Sequence, residues 1–194
     1  MKQNQNAQTN RLRNSLLRVS RLHFLYVAIL TIQIIFYRTW HLIELDSVMQ
    51  RFIATAILLS VTTIVWYFSS NRIRLLSVYK WLTALLIFTD IAIASFYVYT
   101  QRGMASRAVL LYVIPIIVSS ILLSRSALFA TASLCIAAYV ATTVIYFVVQ
   151  FNEGYIIELY GEVGFYSAIF LILASLLWTS IRSKKTSNNP KHDN

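Results

Sequence analysis

The amino-acid sequence predicts an all-α, polytopic membrane protein: a bundle of six transmembrane helices with both termini cytoplasmic. Three observations predict it. Hydrophobic residues fill 58% of the 194 positions and charged residues only 12%, against roughly 45–50% and 25% in a soluble domain. Six apolar stretches come near the ~20 residues that a helix needs to cross the hydrocarbon. The 17 Lys and Arg outnumber the 7 Asp and Glu, and this excess falls between apolar stretches rather than along one face, which points to a membrane and not to nucleic acid. With four Gly and two Pro, the chain is also a poor candidate for a disordered or Gly-rich, phosphate-cradling protein.

Residues 1–23 read as a basic cytoplasmic arm, retained rather than cleaved, with Lys2, Arg11, Arg13, Arg18 and Arg21 and no acid. The arginines alternate with Leu12, Leu16, Leu17 and Leu22, the pattern of an amphipathic helix lying on anionic lipid. The transmembrane domain occupies 24–182, with spans at about 24–43, 52–69, 79–100, 108–124, 127–149 and 163–181. Arg51 opens the second span, Arg72, Arg74 and Lys80 the third, and Arg102 to Arg107 the fourth. Arg125 punctuates the turn before the fifth, the stretch from Glu153 to Glu162 precedes the sixth, and Arg182 ends it. Residues 183–194 form a polar cytoplasmic tail.

An even number of spans returns the chain to its starting side, and basic residues mark the cytoplasmic side. The arm, the 72–80 turn, Arg125 and the tail hold thirteen of the 17 basic residues, whereas Arg38, Arg51, Arg102 and Arg107 fall on the other side with five of the seven acids. Trp40, Trp66, Tyr67, Trp81, Tyr155, Tyr160 and Trp178 fall near span ends, where aromatic rings anchor at headgroup depth.

Asp90 is the clearest anomaly, about ten residues inside the third span. A carboxylate there costs roughly 2.5–3.5 kcal/mol on insertion scales, so it must face the bundle interior and find a donor or stay protonated. Thr83, Thr89, Tyr112, Ser119 and Ser120 are the donors at matching depth, and the outcome is either a helix-to-helix hydrogen bond or a ligand- or proton-responsive site. Pro115 removes a backbone donor inside the fourth span, as a static bend or a hinge, with Ser119 and Ser120 placed to take up freed carbonyls. Ser133, Ala137 and Ala141 form a small-residue stripe for close helix packing, within the bundle or between two copies in a homodimer. Gly164 and Ala168 offer a weaker seam. His23, His41 and His192 stand isolated, the lone Cys135 builds no disulfide or metal set, and no catalytic or cofactor-binding pattern emerges.

The segment Asp90 to Tyr146 carries a further pattern. Asp90 is followed by Tyr99, then Gly103-x-x-Ser106 in an outer turn, Leu111-Tyr-Val-Ile-Pro-Ile-Ile117, a basic turn Leu122-Leu-Ser-Arg-Ser126, and an Ala-rich helix with Tyr139. This resembles the six-span input region of bacterial membrane-bound sensor histidine kinases, of the pilus-regulator type. Arg102 stands where that family has the first Gly of its outer turn, and these 194 residues contain neither its phosphoacceptor-His helix nor its ATP lid. The resemblance implies a bacterial inner-membrane sensing module without catalytic output, working with the lipid bilayer and with a separate kinase or response regulator. The composition would also suit a substrate-binding subunit of a small transporter or, third, a structural membrane protein with no ligand.

Overall fold

The computed structural model describes residues 2–42, 45–71, 75–101, 106–122, 124–151 and 157–187, the side chains of 2–7, 122, 150–151, 157–159 and 182–187 excepted. Gly103 and His192 therefore lie outside the described residues, as does the tail beyond residue 187. The described chain is all-helical: α1 (Lys2–Thr39), α2 (Leu45–Ser70), α3 (Leu76–Thr100), a 3-10 helix (Arg107–Tyr112), α4 (Val113–Leu122), α5 (Arg125–Phe151) and α6 (Ile157–Ser187). Five of these helices are long and apolar enough to cross a membrane, and Arg107–Ile121 forms a shorter apolar one. The chain is thus a helical membrane protein.

The helix α3 sits at the centre, packed against α1, α2, the 3-10 helix, α4 and α5. Its buried residues run Tyr79, Leu82, Thr83, Leu86, Ile87, Asp90, Ile91, Ile93, Ala94, Tyr97 and Val98, and this broad arc leaves Trp81, Leu85 and Phe88 facing outward. The exposed surface is apolar on every long helix, for example Leu25, Ile29 and Ile32 on α1 and Ile53 and Ile57 on α2. That inversion of the soluble pattern is what a lipid solvent selects.

The basic arm is not a separate element. One uninterrupted helix runs through residue 23, and the expected arm joins the bundle: Leu16, Val19 and Ser20 are buried in line with His23, Val27, Leu30 and Ile34. These positions recur every three or four residues, so one stripe faces the core along the whole helix. Arg13 donates from Nε to the Ser69 carbonyl at 2.9 Å and so closes the C-terminus of α2. At its far end α1 stops in a left-handed turn: His41 has φ 53°, its N–H donates to the Arg38 carbonyl, and the Leu42 N–H reaches back to Tyr37. These two bonds satisfy carbonyls that the helix end would otherwise orphan.

The expected small-residue seams do not pack inside the bundle. Ser133, Ala137 and Ala141 are exposed, because α5 turns Leu128, Ala132, Cys135 and Tyr139 inward instead. Gly164 and Ala168 are exposed as well, and nothing lies within 4 Å of where a Cβ on Gly164 would stand. Large residues hold this side of the fold together. The Tyr139 ring lies 6.1 Å from Tyr112, 5.8 Å from Tyr166 and 6.5 Å from Phe170, tying the 3-10 helix, α5 and α6 edge to face.

Pro115 is the third residue of α4, directly after the 3-10 helix, rather than an interruption in a continuous α-helix. In a first turn its missing N–H breaks no intrahelical bond, so the 3-10 to α junction accommodates it. Ser120 donates to the Ile117 carbonyl at 2.7 Å and Ser119 to Ala127 at 3.4 Å; neither reaches the carbonyls before the proline.

Leu86 is fully buried and its neighbour Leu85 is 43% exposed. Leu86→Ala is expected to lower the stability of the detergent-solubilised protein by roughly 2–5 kcal/mol, and Leu85→Ala to change it little. Unfolding titrations of the two variants in parallel check the pairing of α3 with its neighbours.

Candidate functional site

Asp90 lies on the inward arc of α3 and is 1% exposed; facing it on α1 is His23, 3% exposed. The His23 Nε2 stands 3.0 Å from Asp90 Oδ2 and 3.2 Å from Oδ1, and its Nδ1 stands 3.1 Å from the Val19 carbonyl oxygen. A carbonyl only accepts, so Nδ1 carries a hydrogen and donates it one turn back along α1. The other ring nitrogen then either donates a second proton to the carboxylate or accepts one from a protonated carboxyl. In both arrangements the pair shares one proton and has no net charge. This neutrality is what makes a carboxyl tolerable at this depth.

The two helices run parallel, and Asp90 lies about 15 Å from the far end of α3 at ~1.5 Å per residue. On α1, His23 marks the level at which the exposed surface changes from Leu22 and Leu25 to Arg21 and Arg18. The ring of Tyr26, one turn on, meets the imidazole edge to face at 6.1 Å.

The donors expected for Asp90 are engaged elsewhere. Thr83 and Thr89 donate to the carbonyls one turn back, Tyr79 and Leu85, each at 2.8 Å. The Tyr112 hydroxyl pairs with Ser95 at 2.8 Å, joining the 3-10 helix to α3 a turn and a half beyond Asp90. Ser106 caps the 3-10 helix: its Oγ accepts the Ala108 N–H at 3.0 Å and donates to Gln101 Oε1 at 3.3 Å. Pro115, Ser119 and Ser120 lie on α4 and make no bond to the pair. Sequence reasoning therefore found Asp90 and missed His23, which it set aside as an isolated span-end residue.

It also missed Arg51. This side chain of α2 is 4% exposed, with its guanidinium 5.9 Å from the Tyr37 ring of α1 and 5.8 Å from the Tyr97 ring of α3. Its Nε makes no hydrogen bond. Arg125, at the opposite end of the bundle, lies over Phe129 and Trp178 of α5 and α6 at 5.9 and 5.3 Å. Among the described residues no three His, Cys, Asp or Glu side chains gather as a metal site would need. Comparison with protein-family models, with curated proteins and with solved structures finds no match to this chain.

Removing one member of a buried charge-capable pair costs roughly 3–5 kcal/mol. His23→Leu and Asp90→Leu are each expected to destabilise on that scale, with the double variant losing less than their sum by about 1–3 kcal/mol. A double-mutant cycle of unfolding free energies in detergent measures the coupling, and strict additivity would show that the two side chains do not interact.

Proposed function

We propose that this chain is an integral sensing or regulatory module of the bacterial inner membrane, six spans with both termini cytoplasmic, similar to a histidine-kinase input region. The observation that carries the reading is the His23–Asp90 pair. It is a buried, proton-sharing contact between a central helix and a helix that continues well past it. Parting the two groups strands a polar side chain in an apolar bundle, so α1 and α3 hold one packing or exchange it for a discrete second one. Signalling by helix repacking needs such an element. At 38 residues, α1 is roughly 57 Å long, nearly twice the hydrocarbon thickness, so a shift at the pair reaches the N-terminal end of the chain as rigid motion.

The sixth span is supported by how residues 107–122 are wound. Six residues of 3-10 helix at ~2.0 Å and ten of α-helix at ~1.5 Å rise together roughly 27 Å, close to the ~30 Å of hydrocarbon. Orientation is supported by the gathering of Arg13, Lys80 and Arg125 toward the end where α2 and α4 finish. Exposed Trp66, Tyr67 and Trp81 lie at this end and Trp40 at the other, as two interfacial belts require. The partner in this reading is a separate kinase or response regulator. The outward-facing Ser133, Ala137 and Ala141 would allow a second copy to approach closely.

Alkaline phosphatase fused after Asp46 or Glu153 is expected to be active, and after Arg74 or Arg125 inactive; the reverse pattern overturns the orientation. For the function itself, Asp90→Asn is expected to accumulate in the membrane at the wild-type level and to lose the regulatory phenotype, as deletion does. Capture of the intact protein from its native membrane in mild detergent is expected to bring a kinase or response regulator with it. The sensing reading fails if the purified protein carries a small solute into liposomes while its deletion leaves no regulatory phenotype.

A further inference from the structure

At the end of the bundle opposite the N-terminus, a cavity of about 300 Å³ opens between α1, α3 and the 3-10 helix. Gln33 and Tyr37 line it from α1, Tyr97 and Gln101 from α3, and Ser106 and Arg107 from the start of the 3-10 helix. The hydrogen bonds already made on this wall leave donors over. The Tyr37 hydroxyl oxygen accepts from Gln33 Nε2 at 3.3 Å, so its own proton is unspent. Gln101 uses Oε1 to accept from Ser106, so its amide N–H groups remain. Arg107 adds a guanidinium that is exposed on the cavity rim.

Behind the tyrosines lies the second cation. Arg51 stacks against both Tyr37 and Tyr97, the rings that wall the cavity, and is 96% withdrawn from solvent, with an unpaired Nε and no carboxylate partner among the described residues. A buried, uncompensated guanidinium is costly to a fold, and the positive potential it creates is focused by the surrounding apolar helices. Among the described residues no acid lines the cavity.

We propose that this cavity binds a small oxyanion, a carboxylate or phosphate group, with Arg107, Tyr37 and Gln101 as its direct donors and Arg51 supplying charge through the tyrosine wall. The volume falls at the lower edge of the ~300–1,000 Å³ of small-molecule sites, which suits a compact solute or a single headgroup. The site is separate from the His23–Asp90 pair, about 10 Å further along α3 at the level of Tyr97. One link is direct: Tyr37 and His23 lie on the same unbroken helix.

The test uses the full chain in nanodiscs of phosphatidylcholine alone, with thermal stability read against sodium succinate, sodium phosphate and, at matched ionic strength, sodium chloride. A saturable rise in Tm with succinate or phosphate but not chloride is the expected result. Arg107→Gln, which alters an exposed side chain, should weaken the effect at least about tenfold, the scale of a lost charge-assisted hydrogen bond. Arg51→Gln should do the same, and if it fails to fold, Arg107→Gln decides alone. A second set of nanodiscs containing phosphatidylglycerol separates the sources. If the anionic lipid raises Tm in an Arg107-dependent way and abolishes the response to soluble anions, the oxyanion is a lipid headgroup. Absence of any anion effect in both lipid compositions, or an effect unchanged by Arg107→Gln, overturns the proposal.

Discussion

A carboxyl group inside an apolar bundle has to be neutralised locally, and most of this architecture follows from how Asp90 achieves that. The hydroxyls of Thr83 and Thr89 are spent on their own backbones and that of Tyr112 on Ser95, so the partner is a group that can hold or share a proton. His23 meets the requirement because its second nitrogen is already fixed by the Val19 carbonyl, which orients the ring and leaves Nε2 for the acid. The pairing sets the rotation of α1 about its axis. With His23 turned inward, Leu16, Val19, Val27, Leu30 and Ile34 must turn inward too, and Arg18 and Arg21 must face out. The helix that began as a basic arm is thereby drawn into the core.

The helical class and the membrane were legible in composition and in runs of apolar residues, because a lipid solvent imposes length and polarity on each segment separately. Asp90 was legible for the same reason, as a charge where none is tolerated without cause. Its partner was not, since charge between Arg11 and Arg21 masks an apolar stripe and reads as a boundary at residue 23. The stripe itself, Leu16, Val19, His23, Val27, Leu30 and Ile34, keeps helical spacing across that boundary and was the available signal. Arg51 carried no such signal: a basic residue at a span start reads as an anchor, and only the approach of Tyr37 and Tyr97 from two other helices buries it.

The small-residue stripe lies on the outward face of this single chain. Ser133, Ala137 and Ala141 have the spacing of a close helix contact, yet the inward face of α5 is set by Tyr139, whose ring fills the space among the 3-10 helix, α5 and α6. Aromatic bulk there holds backbones apart and achieves packing by edge-to-face contact rather than by close approach. Spacing identifies which residues share a face; it does not say whether that face looks at protein or at lipid.

A residue wound as 3-10 helix climbs ~0.5 Å more than one wound as α-helix and turns ~20° further. Over the six residues from Arg107 to Tyr112 the difference amounts to roughly 3 Å of height and about a third of a revolution. Tyr112 is clamped from below by Ser95 and Ser106 is tied from above to Gln101, so the segment is held at both ends in its stretched winding. The elevation and facing of Arg107 are therefore stored in the pitch of one short helix, like a spacer whose thread sets how far its head stands proud.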